Sequence, residues 1–97
     1  PKMNLITGDI ATKFNANTVG IRSEHISISE GEGDWQGQIK MSESLGSDTF
    51  VHVEVNQLKE NITVRAEGER SFNRGDKIAL NYNKENLHLF NKNGERM

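Results

Sequence analysis

The chain has 97 residues, 33% of them hydrophobic, with 12 Lys and Arg against 14 Asp and Glu, a net charge of -2 and no cysteine. This describes one small domain. It excludes a disulfide framework, a thiolate metal site and a cysteine nucleophile, and it offers no basic field for nucleic-acid phosphates. Mean hydropathy is -0.72, a value at which disorder must be weighed. Order is favoured because the apolar residues are patterned rather than scattered. No apolar run approaches the roughly 18 to 20 residues of a membrane span, and no signal peptide is visible. The first residue is Pro1 rather than Met, which suggests a piece of a longer protein.

Leu5 and Ile6 open a short strand that Gly8-Asp9 turns. Ala11 to Thr18 is polar and Asn-rich and reads as a loop or weak strand. Val19 to Arg22 and Ile26 to Ile28 are strands on either side of a polar cluster, Arg22, Ser23, Glu24 and His25. Ser29 to Trp35 is a loop by composition, with glycines at 31 and 33 and carboxylates at Glu30, Glu32 and Asp34. Trp35, Gly37, Ile39 and Met41 then share one face of a period-2 strand, with Gly37 a bulge or a point of close approach. Leu45 to Asp48 is a turn.

Thr49, Val51, Val53 and Val55 alternate with Phe50, His52 and Glu54. This is the strongest strand signal, because β-branched side chains suit the pleat. Ile62, Val64 and Ala66 share the face of the next strand. A long polar link from Glu67 ends in the turn signal Gly75-Asp76. Ile78, Leu80 and Tyr82 alternate, Asn83 to Asn86 turns, Leu87 to Phe90 closes the pattern, and the last seven residues read as a frayed tail. No helical stripe of useful length competes. Short strands between Gly, Asn and Asp links predict an all-β barrel or sandwich.

The chemistry visible in the residues is sparse. Arg22, Glu24 and His25 form the most function-like cluster, suited either to fixing a corner or to meeting a partner. Phe72, in a polar link between Arg70 and Arg74, is a candidate exposed contact. His25, His52 and His88 lack close metal-ligand spacing, and no nucleophile elbow is present. Gly31, Gly33 and Gly37 do not make a dinucleotide loop, since Gln36 stands where GxGxxG needs glycine. A GxxxxGK[ST] loop is absent, so no ATP or Mg site is expected within this sequence and no cofactor is expected at all.

Several segments together resemble one family. PKMNLI at the start resembles the SPKMN junction, VGIRSEH from Val19 to His25 resembles the GIRPEH box, and Leu45 to Val53 resembles LG.ET.VHV. Gly75-Asp76 resembles the glycine-acid turn before the penultimate strand. Leu87 to Phe90 resembles LHLFD, with Gly94 and Arg96 following as in G.RI. Each motif is weak alone; five in one order are specific to the C-terminal regulatory (TOBE, or transport-associated OB) domain of MalK-type ATPase subunits of bacterial sugar importers. The resemblance implies an all-β, OB-fold-like (TOBE/MOP-like) Greek-key β-barrel spanning residues 1–97, C-terminal to an ATP-binding cassette domain that would hold the ATP and Mg.

It also implies a homodimer with a second ATPase subunit, permease subunits as partners through the cassette domain, a regulatory protein in some members, and a place on the cytoplasmic face of the inner membrane. Arg22, Glu24, His25, Phe72 and His88 become the candidate interface or regulatory residues. This sequence departs from the family pattern at Ser23, where the box has proline, and at Asn91, where LHLF is followed by Asp. The stretch between Gly8-Asp9 and Val19 is also short, which implies a shortened first lobe. Two other functions stay open at this point. One is a small-oxyanion site drawing on Lys40, Ser42, Ser44 and Ser47. The other is a single-strand nucleic-acid OB-fold, which the acidic balance and six aromatics do not favour.

Overall fold

A computed structural model describes residues 3–67, apart from the side chain of Glu67, and 71–97. Eight strands run in chain order: β1 (Met3–Ile6), β2 (Thr18–Arg22), β3 (Ile26–Ser29), β4 (Trp35–Leu45), β5 (Asp48–Val55), β6 (Ile62–Glu67), β7 (Lys77–Tyr82) and β8 (His88–Phe90). They form two antiparallel sheets, one of three strands in the order β1-β2-β8 and one of five in the order β3-β7-β4-β5-β6. This agrees with the expected all-β, OB-like class. Among the described residues no ladder closes the sheets into a barrel. The outer strands β3 and β6 lie beside each other without pairing.

One reason the seam stays open is the side chain of Asn4. It is only 8% exposed and behaves as a short strand against the free edge of β6. Its Oδ1 accepts the Thr63 N–H at 2.8 Å, and its Nδ2 donates to the Thr63 carbonyl at 2.9 Å and the Ile21 carbonyl at 3.3 Å. The two backbone groups that a closing strand would need at Thr63 are therefore taken by β1, and the two sheets are joined there.

The core follows the alternation. Val51, Val53 and Val55 of β5 pack with Ile39, Ile62, Val64, Ile78 and Leu80, and with Ile6 and Ile21 from the smaller sheet. Trp35 is buried and its ring lies 4.8 Å from that of Tyr82. The Asp34 carboxylate beside them accepts the Tyr82 N–H at 3.0 Å. Burial first, and then the Asp34 charge, push the Tyr82 hydroxyl above its ordinary pKa.

Three expectations need correction. The segment after Gly8 is not a loop or strand: Asp9–Lys13 forms a helix, α1, too short to show a stripe in sequence. Ala11 is its buried contact, and Asn15 closes it with φ 58. The last seven residues are not frayed. They fold back so that Arg96 bridges Phe90 and the Met97 N–H reaches the Leu89 carbonyl at 2.8 Å. Asn91 holds that turn by accepting the Asn93 and Glu95 N–H groups, each at 3.0 Å, so it plays the acceptor role an aspartate would.

Finally, Met41 does not share the face of Trp35, Gly37 and Ile39: the irregularity in β4 falls between Ile39 and Met41 and leaves Met41 49% exposed. Gly37 is a point of close approach. A Cβ there would lie 2.7 Å from Val53 Cγ1 and 2.8 Å from the Glu54 carbonyl oxygen. Backbone cannot give way cheaply, so Gly37→Ala should lower stability by about 2 kcal/mol or more. A urea titration showing an unchanged midpoint would refute this.

Candidate functional site

Val19 and Ile21 of β2 point into the core with no exposure, so Thr18, Gly20 and Arg22 occupy the outer face. Register extends that face across the small sheet. Leu5 and His88 flank Gly20, Met3 pairs with Arg22, and Phe90 pairs with Thr18. Arg96 joins the same face through its bridge to Phe90. Gly20 is required here. A Cβ would sit 2.6 Å from Met3 Sδ and 3.1 Å from Phe90 Cε2, because these side chains close over its bare backbone. The outcome is a small apolar pad of Met3, Leu5 and Phe90, with Leu5 still 55% exposed.

Cations rim the pad. After Arg22 the chain turns through a 3-10 segment, Ser23–His25, that leaves Glu24 and His25 exposed. The ion pairs among the described residues are Lys40–Glu54, His52–Glu43 and Arg65–Asp48; none involves Arg22, His25, His88 or Arg96. Arg96, Arg22 and His25 lie close enough to act on His88. His88 records this. Desolvation first, then Arg96, Arg22 and His25, hold its imidazole below the ordinary histidine pKa of 6.5.

The fold therefore disfavours protonated His88. Its contribution to stability is complete above pH 6.5 and declines as pH falls through that value toward the lower folded pKa. His88→Gln should flatten the acid side of the stability profile while leaving stability above neutrality nearly unchanged. Thermal melts of both chains between about pH 5 and 8 check this; parallel profiles would contradict it.

The structure thus brings Arg22, His25 and His88 together and adds Arg96, which composition alone did not single out. Glu24 is on the same turn but is not among the groups acting on His88. Phe72 does not stand free: it packs against the core, and its carbonyl accepts from Ser42 Oγ at 3.2 Å. Its neighbour Arg74 is exposed, and Arg70 lies outside the described residues. Of the set considered for an oxyanion, Ser42 serves the Phe72 carbonyl and Lys40 faces Glu54 at 3.9 Å. Among the described residues no group of three or more His, Asp or Glu is placed to hold a metal ion.

Sequence reasoning missed two polar chains. His52 Nε2 lies 2.9 Å from Glu43 Oε1 and its Nδ1 3.2 Å from Thr63 Oγ1, and Arg65 Nη2 donates to Asp48 Oδ2 at 2.9 Å. Both depend on strand register, for which the sequence carries no local signal.

Against known families, the TOBE domain matches residues 19–90, the span from β2 through β8. The chain belongs to the TOBE domain family. This TOBE domain is 33% identical over 78 residues to the sn-glycerol-3-phosphate import ATP-binding protein of Psychromonas ingrahamii, covering 74% of the chain and 21% of that protein. It is 30% identical over 95 residues to the alpha-glucoside transport ATP-binding protein of Rhizobium meliloti, covering 93% and 26%. It is 27% identical over 78 residues to the maltose/maltodextrin import ATP-binding protein of Escherichia coli K12, covering 79% and 21%. The TOBE domain therefore spans about a fifth to a quarter of the curated relatives it matches. No helix among its described residues is long and apolar enough to cross a membrane.

Proposed function

We propose that this TOBE domain is the regulatory and dimerisation module of the ATP-binding subunit of a bacterial ABC importer for sugars or related solutes such as glycerol phosphate. It couples to ATP hydrolysis and performs none itself, ATP and Mg being held by a cassette domain at the cytoplasmic face of the membrane. The observation that carries this reading is the match of residues 19–90 to the family, together with relatives that are each import or transport ATP-binding proteins. Its partners are a second copy of the subunit, permease subunits reached through the cassette domain, and a regulatory protein.

The outer face of β1-β2-β8 supports the dimer part physically. An isologous contact repeats each pair twice. Two such faces laid together would bury Leu5 at the centre and set Arg22 of one copy near Glu24 of the other. Without that acid the cation rims would repel. Sedimentation equilibrium across a wide concentration range tests the reading. A reversible dimer that Arg22→Glu weakens, and that added Glu24→Arg restores, is expected. A strict monomer at about 1 mM would overturn the direct contact.

The two guanidinium groups also favour a second reading, a small-oxyanion site at Arg22 and Arg96 with the neutral His88 imidazole beside them. Calorimetry with molybdate, tungstate and sulfate decides it; flat titrations remove it.

A further inference from the structure

On a different side of β2 the turn Ser23–His25 faces the outer surface of β4, β5 and β6 across a groove of about 360 Å³. Of its lining residues only Glu24 also enters the proposed dimer contact. Because Thr49, Val51, Val53 and Val55 of β5 are buried, Phe50 and His52 face outward. The ladders then place Glu43 beside Phe50 on one flank and Arg65 beside it on the other, with Thr63 next to His52. Phe50 is thus an aromatic floor between a carboxylate and a guanidinium. Leu45, 63% exposed at the hairpin end, forms an apolar lip.

The polar walls are held in place before any ligand arrives. Glu43 is tied through His52 to Thr63, and Arg65 is tied to Asp48. A fixed wall binds without first losing side-chain freedom. The charges also select. Arg65 is matched by Asp48, His52 by Glu43, and Glu24 adds a carboxylate at the rim. An anion would meet Glu24 and Glu43, while a cation would meet the Arg65 guanidinium. An apolar ligand would displace water from these polar groups and offer no hydrogen bond in return. What fits is a neutral molecule with hydroxyls around its edge and a C–H face for Phe50 and Leu45. The volume lies at the small end for ligand sites, enough for one or two rings.

We propose that this groove binds a neutral polyhydroxylated ring of hexose size, with its C–H face on Phe50 and its hydroxyls toward Glu43, Thr63 and Arg65. The site does not rest on the importer reading: a failed titration leaves that reading intact, and a monomeric domain can still bind. The test is an amide-shift NMR titration of the full chain with three probes: α-methyl glucoside (neutral), glycerol phosphate (anionic) and spermidine (cationic). The glucoside should give saturable shifts at Ser23, Phe50 and Thr63 with a dissociation constant on the order of 1 mM, and the charged probes should bind at least tenfold more weakly there.

Phe50→Ala should weaken the glucoside at least tenfold. If that variant fails to fold, Glu43→Gln, which keeps the shape, should weaken it severalfold. No saturation by about 50 mM glucoside, a charged probe binding more tightly at these residues, or a folded variant binding as well as the parent would each overturn the proposal.

Discussion

Asn4→Ala is expected to lower stability by about 2–4 kcal/mol, which for a domain this size is a fall in melting temperature of about 10–20 °C. The side chain makes two hydrogen bonds across the sheet boundary, to the Thr63 N–H and carbonyl, and a third to the Ile21 carbonyl within its own sheet. Its loss leaves the Thr63 N–H and carbonyl unpartnered in a place where Thr63 is 7% exposed. Water reaches such groups poorly, so the penalty approaches that of an orphaned donor and acceptor together. Denaturant titrations read the effect.

Asn4→Asp sharpens the case. It keeps the acceptor for Thr63 N–H but aims a carboxylate oxygen at two carbonyls. Its folded pKa should rise above the usual carboxylate value, so the variant should be weakest at neutral pH and recover part of its stability in acid. If Asn4→Ala stays within 0.5 kcal/mol or so of the parent, the side chain is not the link between sheets.

Ser23 should work in the opposite direction. Its Oγ is buried and has no hydrogen-bond partner among the described residues, in a residue only 1% exposed. Ser23→Ala removes that orphan with almost no change of volume and should raise stability by about 1–2 kcal/mol. Ser23→Pro should do at least as well. The residue before it, Arg22, is extended with φ -74 and ψ 146, as a residue preceding proline must be. Position 23 opens a helical turn, where proline's fixed φ is already suitable. Restricting the unfolded chain adds about 0.4–1 kcal/mol. A rise of roughly 5–15 °C in melting temperature is expected; a fall for both variants would mean that the hydroxyl has a role the geometry does not reveal.

Much of the fold was legible because strands with one buried face write themselves as alternation. Thr49 to Val55 and Ile78 to Tyr82 were found that way. Helix α1 was not, since five residues cannot show a period of 3.6 and only Ala11, with Ile10 partly buried beside it, turns inward. The Ser23–His25 turn was legible through family resemblance rather than through any property of those residues. The cation group was half legible: Arg22 and His25 are neighbours in sequence, whereas His88 and Arg96 reach them only through the β2–β8 pairing. Asn4 was invisible, because a polar residue in a short strand gives no hint that it serves a backbone 59 positions away. The His52 chains were hidden by the irregularity at Ile39 and Met41, which sets which β4 residues face β5. A one-residue change there would send Glu43 to the other side.

The order of the small sheet bears on how the chain comes off the ribosome. β2 has β8 as one of its two neighbours, with Val19 opposite Leu89, so that partner emerges about seventy residues later. At about 5–20 residues per second this is a wait of several seconds. During it the β2 edge lacks its final strand, while β3 to β7 emerge as one uninterrupted stretch and contain every strand of the larger sheet. The larger sheet can therefore assemble first and offer Thr63 to Asn4. Docking of β8 and the folded-back tail then comes last, as the step that locks the nascent domain.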